Sequence, residues 1–81
     1  MIKSASIKKL VETQTLDSLR KAEKALVEER AVPITIEGED AGEKLTYVLA
    51  AIWILEKMHQ EGVDFSLALR AYAKRIRRSI N

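Results

Sequence analysis

Tyr47-Val48-Leu49-Ala50-Ala51-Ile52-Trp53-Ile54-Leu55 decides how this chain folds: nine apolar residues in a row with no charge among them. A bilayer span needs roughly 20 such residues, so a run of this length is protein core and not membrane. At about 100° per residue, Leu45, Val48, Leu49, Ile52 and Leu55 share one helix face, while Tyr47, Ala51, Ile54 and Met58 share a nearly opposite one. Trp53 flanks the first face. A helix that is apolar on all sides is buried on all sides. The pattern predicts a central helix from about Ala41 to His59, stopped by Gly62 as a left-handed cap residue.

Little chain is left to wrap that helix. With 81 residues, folding buries only about 60% of the surface of the unfolded chain. The chain has no cysteine, so neither a disulfide nor a thiolate metal site can brace the core. Three partner helices, one of them short, look too few to cover both faces of the central helix in a monomer. The expected state is therefore a homodimer of one small all-α domain spanning residues 1–81, with four helices and a short extended segment before the central one.

Working back toward the N-terminus, Ser4 or Ser6 is placed to cap a short helix with Ile7, Leu10 and Val11 on one face, running out near Gln14. Thr15 then caps a second helix, over residues 16–30, with Leu16, Leu19, Ala22, Leu26 and Val27 at helical spacing. Pro33 ends it, because the residue before a proline is pushed out of the helical region. Ile34-Thr35-Ile36 alternates apolar and polar as a strand does, with two outcomes open: extended coil on the helices, or pairing with its copy in a second subunit.

Working forward, Asp64 caps a last helix in which Phe65, Leu69, Tyr72, Ala73, Ile76 and Ile80 fall within about a 100° arc. No charged and then apolar leader opens the sequence, so no secretory signal is expected. Together with the missing cysteines this makes the cytoplasm the expected location, with no membrane partner.

Charge is unevenly spread. Residues 1–27 carry a net +3, residues 28–45 a net −4, residues 46–69 a net −2 and residues 70–81 a net +5. Two candidate interaction surfaces follow. One is the acidic turn with Glu37, Glu39, Asp40 and Glu43, whose carboxylates also suit the start of a helix. The other is the basic face of the last helix, with Arg70, Lys74, Arg77 and Arg78 and with Arg75 at its border. Five cations over residues 70–78 are enough to contact phosphates, which makes nucleic-acid binding the alternative to a protein partner. No aromatic residue interleaves with those charges, and Tyr72 points into the apolar arc.

Catalytic and metal chemistry find little footing. The acidic turn lacks the alternating ligand spacing of an EF-hand. Glu56-Lys57-Met58-His59 has the Glu-x-x-His spacing of di-iron bundles, but the second motif and the two further inward glutamates are missing. On the same face as Leu49 and Ile52, Glu56 needs a partner, and an arginine of the last helix is the natural one. His59 is the only histidine, no serine sits in a nucleophile elbow, and Gly38 and Gly42 match no phosphate-binding loop. The expectation is a non-enzymatic module with no catalytic, cofactor or metal residues and no cofactor.

The order Ile-Lys-Lys-Leu-Val-Glu-Thr over 7–13, Ile36-Glu37-Gly38-Glu39-Asp40, Val48-Leu49-Ala50-Ala51-Ile52-Trp53-Ile54, Asp64-Phe65 and Ala68-Leu69-Arg70 resembles a small helical family of Bacteroidetes and Chlorobi. That family is labelled only as a domain of unknown function. The resemblance covers essentially the whole chain. It implies a compact bacterial domain and carries no activity to any residue.

Overall fold

A computed structural model of the protein describes residues 3–80, with side chains described as far as Arg77. Four helices make up the architecture: α1 (Ser4–Thr13), α2 (Leu16–Val27), α3 (Ala41–Glu61) and α4 (Phe65–Ile80). α1, α2 and α4 each pack on α3. It is the hub of a molecule about 32 × 28 × 19 Å.

The helix boundaries follow local chemistry. Before α2, the Thr15 hydroxyl accepts from the Ser18 N–H at 3.1 Å while the Ser18 hydroxyl accepts from the Thr15 N–H at 3.0 Å, a reciprocal capping box. Asp40 caps α3 by accepting from the Glu43 N–H at 2.8 Å, and Asp64 caps α4 by accepting from the Leu67 N–H at 3.0 Å. Gly62, at φ +63, closes α3 in the left-handed conformation, and the last helical residue, Glu61, lies two residues beyond His59. α1 departs from expectation. Its cap is Lys3, without a side-chain bond, because Ser4 and Ser6 both lie inside the helix.

α2 also stops earlier than residue 30. Its last turn closes through a Schellman motif, in which the Arg30 N–H reaches the Ala25 carbonyl at 2.8 Å and the Glu29 N–H reaches Leu26 at 3.3 Å. Glu29 adopts φ +56 to make that turn, where glycine is the usual occupant. No strand forms among the described residues. Ile34-Thr35-Ile36 lies on the helices as coil that bends at Pro33 and Ile34, with Ile36 buried in the core and Ile34 packed against it.

One expectation is corrected outright. The chain does cover both faces of α3: Tyr47, Val48, Ala50, Ala51, Ile52, Ile54 and Leu55 are all buried within one copy. Alanines are the reason. Ala22, Ala25, Ala50, Ala51 and Ala68 are buried side chains of almost no bulk, so helices approach closely and less partner surface is needed. The coil between α2 and α3 supplies the rest by inserting Ile36. What stays open on α3 is narrower, a strip through Leu49, 43% exposed, and half-buried Trp53.

Candidate interaction site

That open strip is the floor of a groove between α2 and α4, with a volume of about 400 Å³. Leu49, Ile52 and Trp53 come from α3, Glu23 from α2, and Tyr72 and Ile76 from α4. The spacing of α3 sets the floor, since 49, 52 and 53 are three and four residues apart and share a face. Val27, 64% exposed, lies one turn along α2 from Glu23.

Trp53 is held at the centre of the groove. Its ring stands 5.6 Å from that of Tyr72 at an interplanar angle of 49°. The Lys57 ammonium lies 5.6 Å from the indole centroid and the Arg75 guanidinium 5.7 Å, both within cation–π range. Burial raises the Tyr72 hydroxyl above its ordinary pKa of 10.0, and the Arg75 charge partly opposes that rise. The groove thus has an aromatic base, two cations braced on it and an acidic wall at Glu23.

Glu56 also lines the groove. Its partner is Arg20 of α2, at 2.7 Å, and not an arginine of the last helix. α2 crosses α3 at that level, and both side chains are partly exposed, so the pair contributes at most about 1 kcal/mol. His59 is exposed, and among the described residues no three His, Cys, Asp or Glu side chains form a group able to hold a metal ion.

The acidic turn is used locally. Asp40 caps α3, the backbone of Glu43 is its donor, and the Glu37 carboxylate accepts from the buried Ser6 hydroxyl at 2.6 Å. Glu37, Glu39 and Glu43 also border a shallow hollow with Lys3 and Tyr47. The Tyr47 hydroxyl accepts from the Lys3 N–H at 3.1 Å, which ties the start of α1 to α3. On α4, Arg70, Lys74 and Arg77 are exposed, and the side chain of Arg78 lies outside the described residues. No ion pair joins the acidic turn to the basic helix among the described residues.

Of the residues singled out in the sequence, Trp53, Glu56 and Arg75 line the groove, whereas Glu37, Glu39, Asp40, Glu43, Arg70, Lys74 and Arg77 do not. Leu49, Tyr72, Arg75 and Ile76 were read as parts of separate helices, and no local signal shows that α3 and α4 bring them together. The Ser6–Glu37 bond was equally invisible, because it spans 31 positions of sequence.

Fold and surface define a small all-α protein wrapped around one helix, with an aromatic groove left open on that helix. Residues 2–81 match the family of unknown function DUF6952, and the chain belongs to that family. No curated protein and no solved structure matches it. No helix among the described residues is long and apolar enough to cross a membrane.

Proposed function

We propose that the protein is a small interaction module without catalytic chemistry, and that it self-associates as a homodimer through the Trp53 groove. The observation that carries this reading is the pairing of two incomplete surfaces on one copy. Leu49 and Trp53 are left uncovered on α3, while among the described side chains of α4 only Ala68 is fully buried and Phe65, Leu69, Tyr72 and Ile76 are half-buried. A two-fold interface needs a patch that complements itself, and a surface with both a groove and a half-covered helix meets that condition. Glu23 makes no ion pair within the described chain. It stands opposite Arg75 across the groove, so a two-fold copy meets charges of both signs.

The bacterial setting of the resembled family and a cytoplasmic location belong to the same proposal, supported by the lack of cysteine. The nucleic-acid reading rests on the exposed cations of α4 alone and gains nothing from Trp53 and Tyr72, which face the groove. Trp53, the single tryptophan, makes the proposal testable without labels. Its emission should be blue-shifted at high micromolar concentration and move to the red on dilution as the groove opens to water. Emission independent of concentration across the micromolar range contradicts the proposal.

A further inference from the structure

Two copies that dock face to face are related by a two-fold axis lying in the plane of their contact. For the Trp53 groove that axis has two simple directions. Along the groove, it sets the α2 wall of one copy on the α4 wall of the other. Across the groove, it sets each wall on its own counterpart. The charges on the walls choose between them.

Glu23 stands on the α2 wall, half-buried, in a groove floored by Leu49, Ile52 and Trp53. It has no ion-pair partner among the described residues, whereas Glu56, the other carboxylate of the groove, is paired with Arg20. When a second surface closes over such a carboxylate it loses water, and docking is favourable only if that surface brings a cation. Arg75 stands on the α4 wall, exposed, with its guanidinium 5.7 Å from the centroid of the indole. A guanidinium carries five N–H donors, so the contact with the ring does not exhaust it. Lys57, the other cation at the indole, is paired with Glu61.

The two charges also share a level. Arg20 meets Glu56, and Leu26 shares a hollow with Ala41 and Lys44. α2 therefore runs antiparallel to α3, and Glu23, midway between Arg20 and Leu26, lies level with residues 49–53. Arg75 lies at that level too, at the Trp53 ring.

We infer that the two-fold axis runs along the groove, and that Glu23 of each copy bonds the partner's Arg75, twice by symmetry. This rests on the self-association proposed above. The crosswise axis gathers both Glu23 carboxylates on one side and both Arg75 guanidinium groups on the other, and like charges brought together across an interface oppose docking. The pair sets which way the copies lie and which chains can associate, a specificity that the apolar contact of Leu49 and Trp53 does not supply.

The test mixes two charge-reversed chains. In a Glu23→Arg homodimer both pairs become cation on cation, and in an Arg75→Glu homodimer both become acid on acid. Each variant alone should dimerise about tenfold or more weakly than wild type, with unchanged helicity. Mixed in equal amounts, the two restore both attractions, and native mass spectrometry should show dimers holding one chain of each, with an affinity within about tenfold of wild type. Because the chain has no cysteine, a second measurement needs no background correction. With a short thiol-specific cross-linker, Glu23→Cys should link to Arg75→Cys faster than to itself. The inference is overturned if either reversed variant dimerises as wild type does, if the mixture gains no heterodimer, or if Glu23→Cys links to itself at least as fast. A wild type that still dimerises in those cases keeps the groove as the interface with a different axis, whereas a wild type that is monomeric throughout removes both.

Discussion

Glu29 is the residue at which local chemistry and fold disagree most openly. At φ +56 it occupies the left-handed region so that α2 can close its Schellman turn, a conformation that costs a residue with a Cβ about 1–2 kcal/mol. Glu29→Gly removes that cost while giving the unfolded chain more freedom, so a net gain of about 0.5–1 kcal/mol is expected in urea denaturation. A loss of stability would mean that the Glu29 side chain holds something the turn does not show. Caps with a local signature were legible at this scale: Thr15, Asp64 and Gly62 each sit where their side chain or φ suits the helix end. Ser6 was misread for a physical reason. A serine near the start of a helix looks like a cap, and only the fold reveals a carboxylate from the Glu37 turn beside its hydroxyl.

At the scale of elements, the helices and their order could be read from hydrophobic spacing, whereas the partners could not. Arg20 meets Glu56 across 36 positions, and nothing within a helix says which neighbour lies on which side. The covering of α3 was misjudged because three partner helices, one of them short, were counted as too few, when buried alanines let those helices close up. Ala68, fully buried on α4, tests that explanation. Ala68→Leu inserts three carbons where α4 packs on α3 and should cost about 1–3 kcal/mol of stability; an unchanged thermal midpoint would show that the two helices are not in close contact there. The same helix pair should respond to alkali. Because burial raises the Tyr72 pKa, the folded state holds the phenol proton more tightly than the unfolded chain does. The resulting stability is intact below pH 10.0 and declines as pH rises from there through the folded-state value. Comparing wild type with Tyr72→Phe isolates this slope, and identical pH dependence in the two would remove Tyr72 as its source.

For the whole molecule, the central question is what occupies the strip of α3 that one copy leaves open. The apolar run at 47–55 announced a helix in need of cover on every side, and the fold narrows that need to Leu49, Trp53 and the adjoining edge of α4. Leu49 is the residue to change, since at 43% exposure it can be replaced without opening the core. Leu49→Lys places a charge in the groove that a second copy must desolvate on docking, which disfavours association while the monomer stays intact. Sedimentation equilibrium at micromolar concentration should give wild type twice the chain mass of 9.2 kDa and Leu49→Lys the single mass, with equal helicity by circular dichroism. A wild-type protein that sediments at 9.2 kDa throughout, or a Leu49→Lys variant that stays dimeric, contradicts self-association through this groove.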